Sequence, residues 1–287
     1  MTGIIEQEAR KITKVYKIAY KDVLNRIQNK LSKYPTVLSL IEASDSHKIG
    51  KNKEFKSAVK AVKKEIYYDL RQYRQKNGSE NTQRTIEELD KALENNDLEK
   101  IINLFSEAVK GHISTKERTE NIQHFHSQFE DLIKESKIIM DVGGGLYPLT
   151  FPFENALKLN KYIWIDIDTK SFEILSRFKK FFSQSKIELF NESFENRKWT
   201  EYCKQAPDLV LMLKLVPVIW RQQRGLVEKL AKAPGKILLV TANKEAMTKN
   251  ESVVKRENAI VHKFIKLSGR EIIREIDTQD EFGYLLA

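Results

Sequence analysis

The sequence predicts an α/β fold: a parallel sheet with helices on both faces, preceded by an all-helical extension. Three observations carry that expectation. From Lys137 onward, short apolar runs alternate with helical stretches, as strands joined by crossover helices do. Before that point apolar residues recur every three or four positions, the spacing of one helix face. The excess positive charge is confined to the helical part: residues 1–79 hold 18 Lys and Arg against 8 Asp and Glu, whereas residues 80–287 hold 32 of each.

The first helix is expected from Ile4 to Tyr34, with Ile12, Val15, Ala19, Val23, Ile27 and Leu31 inward and Pro35 ending it. A second is expected from Lys53 to Lys76, with Phe55, Val59, Val62, Ile66, Leu70 and Tyr73 inward. Basic residues follow the same spacing on the other faces: Arg10, Lys14, Lys17 and Lys21, then Lys56, Lys60, Lys63, Lys64, Arg71 and Arg74, with Tyr67 and Tyr68 between them. Basic stripes interleaved with aromatics suit RNA, which offers phosphates and stackable bases. The alternative is a lysine-rich solvated surface. Gly78-Ser79 reads as a subdomain boundary, giving a basic subdomain 1–79 and a connecting helical subdomain 80–111 with helices at Thr85–Leu93 and Asp97–Lys110.

Residues 112–287 form the expected α/β domain. Ser114-Thr115-Lys116-Glu117 is a capping-box pattern that opens a helix to about Ile133. Strands are expected at Ile138–Val142, Tyr162–Ile167, Ile187–Phe190, Asp208–Leu213 and Lys236–Thr241, with helices at Lys170–Phe182 and Arg221–Lys232. Glu271–Thr278 and Phe282–Ala287 read as a terminal antiparallel hairpin.

Composition excludes several classes. With 41% apolar and 9% aromatic residues the chain can bury a core, and a lone Cys203 excludes a disulfide framework or a Cys-rich zinc site. The longest apolar run, Leu209–Trp220, is 12 residues broken by Lys214, too short to span a membrane. The first 30 residues hold no apolar signal segment, so a cytoplasmic protein without membrane association is expected. His112, His124 and His126 have no acidic or Cys partners nearby in sequence, and no metal is expected.

The first strand ends Asp141-Val142-Gly143-Gly144-Gly145. A dinucleotide fingerprint wants Gly-x-Gly-x-x-Gly, and its third glycine position is Pro148 here. An acid directly before a Gly-x-Gly loop is instead the pattern for S-adenosylmethionine, whose sulfonium and ammonium favour a carboxylate. Asp166-Ile167-Asp168 ends the second strand, where a carboxylate can accept from both ribose hydroxyls. A plain glycine turn, and a hydrated or divalent-metal acid pair, are the alternatives.

Two blocks carry a family resemblance: Gly111-His112-Ile113-Ser114-Thr115-Lys116-Glu117-Arg118, and Met140-Asp141-Val142-Gly143-Gly144-Gly145-Leu146-Tyr147-Pro148-Leu149. With Asp166-Ile167-Asp168, Leu213-Lys214-Leu215-Val216-Pro217-Val218 and Gln222-Gln223, they resemble the aminoglycoside-resistance 16S rRNA guanine-N7 methyltransferases over residues 85–240. The resemblance implies a Rossmann-like, S-adenosylmethionine-dependent methyltransferase domain behind a helical rRNA-docking extension, acting on the decoding site of the 30S subunit. It assigns Arg118 to the cofactor carboxylate, Gly143 and Gly145 to the methionine moiety, Asp166 to the ribose, and Asn191 and Glu192 to the adenine. His112, Asp141, Gly144 and Ile167 fall within the implied cofactor site, while Leu213 and Lys214 face cofactor and target base, with Lys214 positioning the base. Members usually carry Cys or Ala where Gly144 stands and Asn where Tyr147 stands, and Val240–Glu245 matches their late basic loop poorly. Methylation of another RNA such as tRNA, or an inactive RNA-binding module, are the competing functions.

Overall fold

The computed structural model describes residues 3–16, 20–43, 46–111, 118, 121–182, 186–246 and 249–287, with the backbone alone at 22, 42, 46, 47, 64, 67–81, 246 and 249–252. The chain divides into two compact units, residues 1–77 with 247–250, and residues 78–246 with 251–287.

The first unit is helical. Helices α1 (Gly3–Tyr16), α2 (Tyr20–Leu31), α3 (Pro35–Glu42), α4 (Ser46–Lys51) and the first part of α5 (Lys53–Glu94) enclose one apolar core. Ile5, Ala9 and Ile12 of α1 meet Val23, Ile27 and Leu31 of α2 and Phe55, Val59, Val62 and Ile66 of α5. The helix expected over 4–34 is thus two described helices. Pro35 does not simply end a helix: it occupies the first turn of α3, where its missing N–H costs nothing. Helix α5 passes through Gly78-Ser79 without a break, so that pair does not punctuate the backbone, and the division between the units falls inside the helix. A glycine in a helix interior costs only about 1 kcal/mol, which the rest of a 42-residue helix outweighs.

In the second unit, Ile86, Leu89 and Ala92 of α5 join Ile101, Leu104 and Phe105 of α6 (Leu98–Gly111) in a core against the sheet. Arg177 clamps Asp90 through two hydrogen bonds, Nε to Oδ1 at 2.7 Å and Nη2 to Oδ2 at 2.5 Å. The sheet has seven strands: β1 (Ile138–Val142), β2 (Lys161–Asp166), β3 (Ile187–Asn191), β4 (Leu209–Met212), β5 (Ile237–Asn243), β8 (Ile272–Asp277) and β9 (Glu281–Leu286). A separate two-stranded hairpin pairs β6 (Glu245–Ala246) with β7 (Lys249–Ser252). The main order is β3-β2-β1-β4-β5-β9-β8; β1 to β5 are parallel, and β9 is antiparallel to both neighbours. Alternate residues feed opposite faces: Ile139, Tyr162, Trp164 and Leu211 on one, Met140, Ile163, Ile165 and Val210 on the other. This is the Rossmann-like architecture that the alternation predicts.

Two further expectations need correction. The stretch toward Ile133 is split into helices 122–127 and 130–135. At the break Gln128 turns to β8, its amide donating to Asp277 O at 3.0 Å while its Oε1 accepts from Asp277 N at 2.8 Å. Gln223 divides the expected Arg221–Lys232 helix: one helix ends at Gln222, and a short turn of helix over Arg224–Leu226 leads into another at Val227–Ala231. The helix Val254–Ser268 and the β6–β7 hairpin were not anticipated from the sequence. Among the described residues, no helix is long and apolar enough to cross a membrane.

Candidate functional site

Strand order reverses between β1 and β4, and such a switch point opens a crevice beyond the carboxyl ends of the strands. The glycine loop leaves β1 there. Gly143 (φ 69°) and Gly145 (φ 50°) both occupy the left-handed region, which side chains disfavour. The acid ending β2 closes this loop: Asp166 Oδ2 accepts from Gly145 N at 2.8 Å and Oδ1 from Asp168 N at 2.9 Å. Asp168 caps helix 169–181, accepting from Lys170 N, Ser171 N and Ser171 Oγ. Trp164 Nε1 donates to Gly145 O at 2.9 Å. Gly144 has a packing reason to be glycine: a Cβ there would lie 2.2 Å from Asp141 Oδ2 and 2.8 Å from Trp164 Cδ1.

Asp141 is fully buried. Its Oδ2 accepts from Tyr162 Oη at 2.9 Å, while its Oδ1 has no partner. Burial pushes this carboxyl up to about 7; Tyr162 opposes the shift, Asp166 adds to it and Arg118 opposes it. The folded chain holds this proton where the unfolded chain has released it, so Asp141 lowers stability as pH rises from about 4 to about 7. Asp141→Asn should therefore flatten the fall in Tm between pH 5 and pH 7.5, and a variant curve parallel to wild type would remove Asp141 as its source.

A second buried network lies beside the first. Arg118 donates from Nε and Nη2 to the two carboxylate oxygens of Glu281, the first residue of β9. Its guanidinium also lies 5.4 Å from the Phe125 ring centre and 5.6 Å from that of Tyr147. Tyr147 Oη is 3.0 Å from His126 Nε2, and burial, then Arg118, hold that imidazole neutral with a pKa lowered to about 4. On the far side, Thr241 Oγ1 donates to Glu281 Oε2 at 2.7 Å and accepts from Lys214 N at 3.0 Å. Lys214 is buried and takes the left-handed conformation (φ 60°) where β4 gives way to helix 215–222. Glu281 thus joins the arginine before β1 to the turn after β4.

The structure brings Asp141, Gly143, Gly144, Gly145, Asp166, Ile167, Asn191, Glu192, Leu213 and Lys214 to the carboxyl ends of β1 to β4, with Arg118 held nearby through Glu281. Ile167 is 71% exposed, an apolar side chain left open beside Asp166. Asn191 donates to Asp166 O at 3.0 Å, so its amide ties β3 to β2, and Glu192 pairs with Arg197 at 2.6 Å. His112 and the capping-box residues 114–117 lie outside the described residues, as does Lys17; Lys64, Arg71 and Arg74 lie on α5 with side chains outside that set. Arg10, Lys14, Lys21, Lys56 and Lys60 are exposed in the first unit, and Lys63 faces Glu8 at 3.6 Å. His124 is exposed and His126 buried, consistent with different helix faces. Sequence reasoning missed Glu281, Thr241 and the ring contacts on Arg118. The one legible signal was an acid opening an otherwise apolar final strand.

A model of the ribosomal RNA methyltransferase (FmrO) family matches residues 32–258. The chain belongs to this family. Curated relatives include the 16S rRNA (guanine(1405)-N(7))-methyltransferases of Micromonospora rosea, 26% identical over 141 residues, and Micromonospora echinospora, 24% identical over 144 residues. These alignments cover 48% and 49% of either chain, so this chain spans about half the length of the curated relatives it matches. Among solved structures, the 16S rRNA methylase ArmA has TM-score 0.51 and 20% identity over 69% of this chain and 96% of its own. The 16S rRNA methyltransferase RmtF in complex with S-adenosyl-L-homocysteine has TM-score 0.56 and 15% identity over 100% of this chain and 98% of its own. At these identities the likeness shows the shared fold.

Proposed function

We propose that this chain is an S-adenosylmethionine-dependent methyltransferase of small-subunit rRNA, acting on a guanine N7 of the decoding site in the 30S subunit. One observation carries the cofactor reading: a buried, partnerless carboxylate oxygen, Asp141 Oδ1, beside a left-handed glycine loop at the switch point of a family methyltransferase sheet. A cationic or N–H-bearing ligand satisfies that oxygen and favours the ionised carboxylate. Asp141 and the backbone of Gly143–Gly145 would hold the methionine end, Arg118 its carboxylate, Asp166 the ribose, and Ile167, Asn191 and Glu192 the adenine edge. Bound S-adenosylmethionine supplies an electrophilic methyl group.

Guanine N7 carries a lone pair and no proton, so the residues have to orient the base and exclude water rather than remove a proton. The site agrees with that demand. His126 is neutral and sealed against Tyr147, and Lys214 is fixed in a constrained turn at the end of β4. Tyr147, which departs from the family pattern, is buried against Arg118, so it gives no reason to assign a different RNA.

The proposed division of labour places RNA docking in residues 1–79, a connecting role in 80–111 and catalysis in 112–287. Phosphate neutralisation releases counterions and makes affinity fall with salt by a slope of roughly 0.7–0.9 per contact. Reversing Lys21, Lys56 and Lys60 to Glu should weaken binding to 16S rRNA and flatten the salt slope by about two. Unchanged binding and slope would make the stripes solvated surface.

A further inference from the structure

Helix α1 and the start of α2 flank an open surface cleft of about 300 Å³ lined by Arg10, Thr13, Lys14 and Tyr20. That is at the small end of ligand-pocket volumes. Four features distinguish it from ordinary basic surface. Arg10 and Lys14 stand one helical turn apart and exposed, and no carboxylate among the described residues pairs with either. The Arg10 guanidinium sits 5.9 Å from the ring centre of Tyr20, leaving a cation and an aromatic face at one place. Tyr20 is half-buried against the core of the first unit, so its ring is fixed rather than free on the surface. Thr13 Oγ1 is buried and has no hydrogen-bond partner, although a helical threonine ordinarily bonds to the preceding turn or to water.

We propose that this cleft binds one unpaired nucleotide of the RNA, the phosphate between Arg10 and Lys14, the base against Tyr20, and an acceptor or donor of the nucleotide on Thr13. The proposal rests on the RNA-docking reading and deepens it, turning part of a sequence-independent basic stripe into a discrete site. The chemistry selects this ligand class. Two cations at a turn's spacing match a phosphate. A fixed ring offers stacking that any splayed-out base can use, and single-stranded RNA is recognised by this combination. An orphaned hydroxyl gains the partner it lacks.

The test measures equilibrium binding of the full-length chain to 16S rRNA across a salt series, with folding checked by thermal melting and S-adenosylhomocysteine affinity by calorimetry. Tyr20→Leu keeps apolar volume on the core but removes the ring; it should weaken RNA binding about tenfold with an unchanged salt slope. Tyr20→Phe should restore affinity. Arg10→Gln should weaken binding and reduce the slope by about one, as loss of a phosphate contact does. Thr13→Val should weaken binding at an unchanged slope. All four should leave S-adenosylhomocysteine affinity at the wild-type value. If folded Tyr20→Leu and Thr13→Val bind as tightly as wild type while reversal of Lys21, Lys56 and Lys60 weakens binding, docking stands and the nucleotide pocket is overturned. If wild type itself shows no salt-dependent RNA binding, both readings fall.

Discussion

Glu281→Ala is expected to destabilise the full chain by about 3–5 kcal/mol, because it strands a buried cation. Arg118 and Glu281 are both nearly inaccessible to water, and the carboxylate holds Arg118 on one side and Thr241 on the other. Burial alone would raise the Glu281 carboxyl; Arg118, Lys214 and the two hydrogen-bond donors instead hold it below its usual range. Removing it takes away the carboxylate to which the buried guanidinium donates, beside the ring centres of Phe125 and Tyr147 at 5.4 and 5.6 Å. Thr241 then loses its acceptor, and the support of the Lys214 turn loosens. Glu281→Gln keeps the shape and one acceptor and should cost less. Chemical denaturation of wild type and both variants orders them; equal stability of all three would mean the pair contributes nothing.

Asp166→Ala should weaken S-adenosylhomocysteine binding tenfold to a hundredfold, matching the ~1.5–3 kcal/mol of a charge-assisted hydrogen bond. On the proposed reading the carboxylate accepts from the ribose hydroxyls. In the structure it also accepts from Gly145 N and Asp168 N, so its removal loosens the glycine loop that receives the methionine end. Asp166→Asn keeps an oxygen acceptor but loses the charge and should fall between. Calorimetry at a fixed pH reads the series, and an unchanged dissociation constant for Asp166→Ala would remove this residue from the site.

Much of this arrangement was legible in the sequence because it is local. Strands β1 to β5 are short apolar runs bounded by turn residues, and the acid-glycine turn sits where one of them ends. Most of the inward faces of the first helices followed from spacing alone: Ile12, Val23, Ile27, Leu31, Phe55, Val59, Val62 and Ile66 are buried, Val15 is only partly so, and Ala19 and the side chains of Leu70 and Tyr73 lie outside the described residues. What was not legible is what long-range pairing creates. Glu281 reaches Arg118 across 163 positions of sequence, and only the register of β9 on β5 puts it beside Asn243 at the carboxyl edge. The continuity of α5 through Gly78 was hidden for the opposite reason, since one weak residue is a strong local signal that a long helix overrides. The basic stripes were visible as charge, but the cleft by Tyr20 needed α1 and α2 to be paired first.

Methyl transfer to small-subunit rRNA is tested by incubating the full chain with tritiated S-adenosylmethionine and, separately, 30S subunits, naked 16S rRNA and tRNA, then locating the label. Label should appear in 16S rRNA as 7-methylguanine, strongest on 30S subunits and lost in Asp166→Ala. Label in tRNA alone, or none in any RNA from a chain that binds S-adenosylhomocysteine, would contradict it.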